Sequence, residues 1–279
     1  MTDSVSNSNN AHPNLGASHF DKVASTYEDE LSSSSMAKLV SELISFAPPI
    51  TSSSIILDNA SGPGIITGEI LKQSAALDPA PKLYAADISP AMIEVLRKKN
   101  WEGVQSDVMD AQALSYPDGT FTHCFMNMGI FLLPEPEKGA AEIYRTLKPG
   151  GVAVITSIKQ AGWVRIFQAA QKEVMPEAPL WKSPLKEEWS TEEKLRSVIQ
   201  AGGFEAENIQ IEMAKANQRS DLMGNFLASM KGGVTQMIVK DWSEGEKQRF
   251  AVVLQKHIEN AMAEPQDLEV IAWAAVARK

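Results

Sequence analysis

Met36, Leu39, Val40, Leu43 and Ile44 recur at the i, i+3, i+4 spacing of one helical face, and Pro48-Pro49 closes the pattern. This predicts a helix over 36–46. Beyond the polar run Thr51–Ser54 the rhythm changes to short apolar blocks separated by helical ones. Ile55-Ile56-Leu57, Leu83–Ala86, Phe121–Met128 and Val152–Ile158 read as buried strands. Helices are predicted over 65–73, from Pro90 with Val95 and Leu96 on its apolar side, and over 135–147. Pro90 opens its helix where a missing N–H is harmless, and Lys148-Pro149-Gly150-Gly151 supplies the chemistry of a helix end. Apolar strands alternating with helices call for an α/β fold: a doubly wound, mostly parallel sheet with helices on both faces.

The last third breaks this alternation. Residues 161–190 are rich in aromatics and proline, with Trp163, Phe167, Trp181 and Trp189. A helix is predicted over 191–201, closed by Gly202-Gly203, then a strand over 209–213, a long helical segment over 220–263 and a final strand over 268–276. The expected organisation is a disordered tail (1–18), an N-terminal helical lid segment (19–50) and a cofactor-binding α/β core (51–160). A lid insertion (161–190), a core continuation (191–215), a helical lid insertion (216–267) and a final core strand (268–279) follow. Insertions placed late in such a sheet overhang the strand carboxyl ends, where ligands bind. Met223, Phe226, Leu227 and Met230 form one helical stripe, expected to face an apolar substrate pocket together with Met128, Trp163 and Phe167.

Composition narrows the function. With 26 Lys and Arg against 35 Asp and Glu, the chain carries net charge −9, which argues against a broad nucleic-acid surface. The lone Cys124 excludes an intrachain disulfide and a cysteine-based zinc cluster, and the four histidines show no metal spacing. The sequence lacks an apolar run long enough for a membrane span and a secretory signal at its N-terminus, so a cytoplasmic protein without a membrane partner is expected. Its oligomeric state is not encoded in any such pattern.

The chemistry concentrates after the first strand, in Leu57-Asp58-Asn59-Ala60-Ser61-Gly62-Pro63-Gly64. Gly62 and Gly64 let the backbone turn sharply beside a ligand, and the turn aims helix N–H groups at it. Asp87, at the end of the next strand, is suited to gripping both hydroxyls of a ribose. A pyrophosphate fingerprint would need Gly or Ala where Thr67 stands, and Gly68 comes one residue late. A ligand with ribose but no pyrophosphate is the better reading.

Asp58-x-Ala60-x-Gly62-x-Gly64 resembles motif I of the class I S-adenosylmethionine-dependent methyltransferases. Three more blocks follow in the family's order: Ala86–Met92, Ser106–Asp110, and 121–151 ending in Leu147-Lys148-Pro149-Gly150-Gly151. His19–Tyr27 also resembles the opening of small-molecule members. Ala60 stands in place of the first motif glycine, and Thr122 in place of an aspartate that often follows Phe121. The resemblance implies S-adenosylmethionine as cofactor, S-adenosylhomocysteine as product, and a small, largely apolar substrate of the secondary-metabolite kind, methylated on oxygen, nitrogen or carbon.

It also implies roles. Asp58, Ala60 and Gly62 would line the methionine end, Asp58 favouring its ammonium, and Gly64 would also belong to the cofactor site. Asp87 would hold the ribose, Met92 or its neighbour Ile88 would pack on adenine, Asp107 would accept from the adenine amino group, and the Val108 N–H would face the ring. Asn127 would lie beside the methyl donor and Tyr27 would close over the cofactor. No catalytic base is evident; His19, Tyr27 and Asn127 are the candidates. Two alternatives share the motifs: a protein that binds the cofactor but catalyses a cyclisation or rearrangement, and one that only binds. An NAD-dependent oxidoreductase would share the fold. His123 and Cys124, in an apolar strand, read as core residues.

Overall fold

The computed structural model describes residues 16–18, 20–22, 24, 34–183, 186–217, 235, 238–263 and 269–279. Seven strands form one sheet: β1 (Ile55–Asn59), β2 (Lys82–Asp87), β3 (Val104–Val108), β4 (Phe121–Met126), β5 (Leu147–Ala161), β6 (Ile209–Asn217) and β7 (Glu269–Arg278). Their order is β3-β2-β1-β4-β5-β7-β6. The first five run parallel, and β7 lies antiparallel between β5 and β6. The order reverses between β1 and β4, so their carboxyl ends frame the crevice where open sheets bind ligands.

Period-two alternation sends neighbouring residues into opposite layers. Leu57, Cys124 and Ile155 face α4 (Pro136–Thr146) and α6 (Glu192–Ala201), meeting Ala140, Ile143, Leu195 and Val198. Ile56, Phe125 and Val154 face α1 (Ser34–Ser45) and α2 (Ile65–Gln73), meeting Leu39, Leu43 and Ile70. α3 (Pro90–Lys98) is capped by Ser89, whose side chain accepts from the Met92 N–H. Thr191 caps α6 in the same way through Lys194.

β3 is a strand that hydrophobic pattern does not announce. It is the sheet's edge, half-exposed along its length, and needs few apolar residues. Conversely, Trp189 lies apart from the aromatic insertion in which its sequence places it. It is buried in the α4 and α6 layer, 6.2 Å from Phe131. Thr122 bridges β4 to β1, accepting the Ile55 N–H at 2.9 Å where the β4 register shifts. That bond gives the departure from aspartate a structural role.

A second apolar cluster stands apart from both sheet layers. α5 (Gly162–Val174) packs against α7 (Glu244–Ala263) through Ile166, Phe167, Ala170, Phe250, Leu254 and Ile258. His257 Nε2 and Glu173 Oε2, 2.9 Å apart, join the two helices at the surface. Among the described residues, no helix is long and apolar enough to cross a membrane.

Candidate functional site

The turn after β1 winds through three left-handed residues, Ala60 (φ +56°), Gly62 (φ +53°) and Gly64 (φ +87°). At Gly64 glycine is demanded twice. The φ is one that side chains disfavour, and an added Cβ would come within 2.8 Å of Leu96 and 3.0 Å of Trp101. Trp101 also covers Gly68, which makes that glycine a packing contact rather than a displaced phosphate-binding residue.

Ala60 adopts the same left-handed backbone with a Cβ, which costs roughly 1–2 kcal/mol. Ala60→Gly is therefore expected to raise stability by about 0.5–1 kcal/mol, glycine's greater unfolded-state entropy offsetting part of the relief. Urea unfolding checks this. A loss of stability would mean that the packing of the Ala60 methyl outweighs the strain.

Two carboxylates brace the turn. Asp58 Oδ2 accepts from the Thr67 N–H at 3.0 Å and from the Thr67 hydroxyl at 2.7 Å, tying β1 to the first turn of α2. The Asp58 side chain is 1% exposed, and both of these bonds fall on Oδ2. The Thr67 N–H is thereby consumed within the protein. Burial pushes the Asp58 carboxyl up to about 7 against the two Thr67 bonds, with nearby Asp87 adding to the rise.

Asp87, at the end of β2, accepts from the Gly62 N–H at 2.8 Å (Oδ2) and the Ser89 N–H at 2.9 Å (Oδ1). Burial raises its pKa and these two bonds oppose the rise. A carboxylate has about four acceptor positions, so two bonds leave capacity for the two hydroxyls of a ribose.

Beside these acids the strand ends turn apolar. Ile88 is 41% exposed and Val108 47% exposed, whereas most large aliphatic side chains among the described residues are buried. Met92 is 1% exposed and packed inward. Of the two residues expected to meet adenine, only Ile88 is accessible; Met92 is a core residue beneath the Ser89 cap. Asp107 Oδ2 accepts from the Tyr116 hydroxyl at 3.1 Å and from Gln105 Nε2 at 3.0 Å, which orients the carboxylate.

Asn127 follows β4 across the crevice. Its Oδ1 accepts from the Thr156 hydroxyl at 2.9 Å, and the same hydroxyl accepts from the Met128 N–H at 2.8 Å. Met128 is left-handed (φ +56°) and partly buried, at the junction of both sheet layers. A Cβ on the neighbouring Gly129 would come within 2.8 Å of the Ala60 Cβ. The crevice floor thus depends on a bare Cα at 129.

Two buried polar groups add to this picture. Asn59 is 1% exposed, and neither its Nδ2 nor its Oδ1 has a hydrogen-bond partner among the described residues. An unpaired buried polar group costs about 1–3 kcal/mol, so its survival one residue from the Gly-rich turn marks a polar ligand or an ordered water. His123 by contrast is satisfied: Nδ1 meets the Thr122 hydroxyl at 2.8 Å and Nε2 meets the Pro48 carbonyl at 3.2 Å. It lies toward the amino end of β4, away from the crevice, and burial lowers its pKa. Burial raises the Cys124 thiol, which is an inert core group.

Not every expected residue joins the crevice. Phe167 is fully buried in the α5–α7 cluster, facing Phe250 at 6.5 Å, so it is a packing residue there and not a pocket wall. Trp163 is half-buried at that cluster's edge, 6.2 Å from Trp181. His19, Tyr27, Met223, Phe226, Leu227 and Met230 lie outside the described residues. Sequence reading missed Thr67, Asn59, Thr156 and Tyr116. Thr67, Thr156 and Tyr116 each act through a partner on another element, and only the odd polarity of Asn59 in an apolar strand was a local signal.

The donor set suits an adenosyl group bearing an amino acid: an acid for a diol, exposed aliphatics beside a second acid for a flat base, and a turn too tight for side chains. Comparisons with known proteins agree. The family profile described as "Methyltransferase domain" matches residues 57–155. The chain is 29% identical over 175 residues to a methyltransferase (ucsB) of Acremonium sp, a match spanning 58% of this chain and 59% of that protein. It is 26% identical over 222 residues to the acetylaranotin bis-thiomethyltransferase of Aspergillus terreus, covering 75% and 72% of the two chains. The chain thus spans about three-fifths of the length of the first of these relatives. Among solved structures, the (4+2)-cyclase SpnF shares the fold with TM-score 0.58, 16% identity and 94% coverage of both chains. The profile match shows a methyltransferase domain over residues 57–155, across the crevice-forming strands, and these relatives resemble the chain as S-adenosylmethionine-dependent methyltransferases do one another.

Proposed function

We propose that this protein transfers a methyl group from S-adenosylmethionine to a nucleophilic atom of a small, largely apolar molecule. The observation that carries the reading is Asp87, bonded to the Gly62 and Ser89 N–H groups with acceptor capacity to spare, between the Gly-rich turn and the exposed Ile88. Asp87 would hold the ribose, Asp107 and Ile88 the adenine, with the Val108 backbone beside the ring, and Gly62 and Gly64 the approach of the methionine end. Asn127, its carbonyl held by Thr156, would line the reacting centre. When bound, the cofactor supplies a methyl already made electrophilic by its sulfonium.

The chain's own task is then orientation and exclusion of water, which can supply ~7–11 kcal/mol without a strong base. In this reading the N-terminal segment and the α5–α7 pair form the lid, and Tyr27, Met223, Phe226, Leu227 and Met230, outside the described residues, keep the cofactor and substrate roles expected of them from the sequence. Oxygen, nitrogen and carbon acceptors fit, and the name of the Aspergillus terreus relative adds sulfur. A secondary-metabolite substrate accords with the two fungal relatives. The acidic balance and lone buried Cys124 accord with a cytoplasmic protein that has no nucleic-acid partner.

Fold alone does not choose the chemistry, since a named cyclase shares it. The test is incubation with labelled S-adenosylmethionine and a panel of small phenols, amines and dithiols. S-adenosylhomocysteine formed in step with a methylated product supports methyl transfer. A converted substrate without S-adenosylhomocysteine supports a rearrangement, and binding of NAD alone would overturn the reading.

The two raised carboxyls give a pH dependence. Both have folded pKa values above their unfolded ones; with Asp58 raised to about 7, the folded protein holds an extra proton between about pH 4 and 7 and loses stability as pH rises through that window, and Asp87 acts in the same direction. A ligand carrying an ammonium favours the ionised forms. Binding of S-adenosylhomocysteine should therefore release protons and tighten about three- to tenfold between pH 6 and 8, one pKa unit corresponding to roughly tenfold. Calorimetry in buffers of different ionisation heat measures both; proton uptake would contradict it.

A further inference from the structure

The N-terminal segment reaches the cofactor site through one acid. Ala17, Ser18, Phe20, Asp21, Lys22 and Ala24 are helical, and Ala24 is buried. From this segment Asp21 Oδ1 accepts from the Ser89 hydroxyl at 2.6 Å and from the Ala91 N–H at 3.2 Å. Ser89 is fully buried, and the same hydroxyl accepts from the Met92 N–H at 3.1 Å. Its single proton therefore has a fixed destination, Asp21. The Ser89 backbone N–H in turn donates to Asp87, which holds Gly62.

We infer that Asp21 is a positioning residue for the cofactor: it latches the N-terminal segment onto the first turn of α3 and, through Ser89, fixes the carboxylate that grips the ribose. Three observations favour a latch over a surface capping contact. The 2.6 Å bond crosses 68 residues of sequence, its partner is fully buried, and the partner's neighbour two positions earlier is the ribose acid. An anion at a helix N-terminus is favourable in itself, so the contact does not need the cofactor in order to form. Docking of Asp21 on Ser89 and the orientation of Asp87 are then coupled. A ligand held by Asp87 leaves more slowly while Asp21 stays docked.

This rests on the S-adenosylmethionine reading of the site. The experiment measures S-adenosylhomocysteine dissociation by stopped flow on the full chain, for wild type, Asp21→Ala, Asp21→Asn, Ser89→Ala and the Asp21→Ala/Ser89→Ala double variant. Asp21→Ala is expected to speed release about tenfold. Asp21→Asn keeps an acceptor oxygen and should stay within about threefold of wild type. The double variant should release more slowly than the product of its parents' effects, because both parents lose the same Asp21–Ser89 bond while each loses one other bond, to the Ala91 N–H or from the Met92 N–H. Release from Asp21→Ala within twofold of wild type would overturn the latch, as would effects that multiply in the double variant. A merely structural Asp21 would lower the melting temperature without moving the release rate. Should Asp21→Ala fail to fold, Asp21→Asn against Ser89→Ala decides: release faster from Ser89→Ala supports the latch, and equal release at the wild-type rate overturns it. Wild-type protein that binds no S-adenosylhomocysteine would overturn the cofactor reading, and the latch with it.

Discussion

Replacing Asp87 with alanine is expected to weaken S-adenosylhomocysteine binding at least about a hundredfold in a protein that still folds. Two hydrogen bonds from ribose to a carboxylate, each worth about 1.5–3 kcal/mol, depend on this side chain. Their loss totals about 3–6 kcal/mol, and each 1.4 kcal/mol is roughly tenfold in affinity. The variant also releases the Gly62 and Ser89 N–H groups, now bonded at 2.8 and 2.9 Å, so the turn that must approach the cofactor loses its brace. Folding suffers less than binding, because removing a buried carboxyl of raised pKa returns part of what the lost bonds contributed. Calorimetry gives the dissociation constant and circular dichroism the fold. An unchanged constant in a folded variant would remove Asp87 from the site.

Phe167→Ala is expected to cost about 3–5 kcal/mol, the usual range for truncating a buried phenylalanine. Its ring is fully buried between α5 and α7, 6.5 Å from Phe250 and 6.1 Å from Trp163. Phe250 in turn meets Trp242 at 5.4 Å, so the truncation opens the centre of an aromatic cluster. That cluster shares no residue with the two sheet layers, and the damage should stay local. Hydrogen exchange should quicken in α5 and α7 while the amides of β1 and β4 keep their protection. S-adenosylhomocysteine affinity should change less than about threefold. A stability loss under about 1.5 kcal/mol, with a raised substrate Michaelis constant, would return Phe167 to the substrate wall.

Much of the crevice is legible in the amino-acid order, for local reasons. Ile65–Gln73 is bounded as its pattern predicts, because the Gly-rich turn before it and the loss of apolar residues after it are both written in adjacent positions. Asp87 is identifiable from its place at a strand end. β3 is not, since an edge strand with one side open needs no continuous apolar run. The aromatic run 161–190 reads as one insertion, yet it divides. Trp163 and Phe167 build the α5–α7 cluster, while Trp189 joins the sheet. Periodicity says that a face is apolar and is silent about which other face covers it.

The same boundary runs through the site. By itself the sequence determined the class of fold, the tight turn after β1 and the acids that end β2 and β3, because glycine conformation and strand periodicity act between near neighbours. Tertiary structure alone decided which groups those acids meet. Asp58 is turned inward to Thr67 across the strand–helix junction, Asp107 is oriented by Tyr116, Asn127 is held by Thr156, and Ser89 is engaged by Asp21. These bonds span from 9 to 68 residues, and no local pattern encodes them. The choice between Ile88 and Met92 was of the same kind. Both are apolar and four residues apart, and only the packing of α3 on the sheet shows that Met92 is buried and Ile88 exposed.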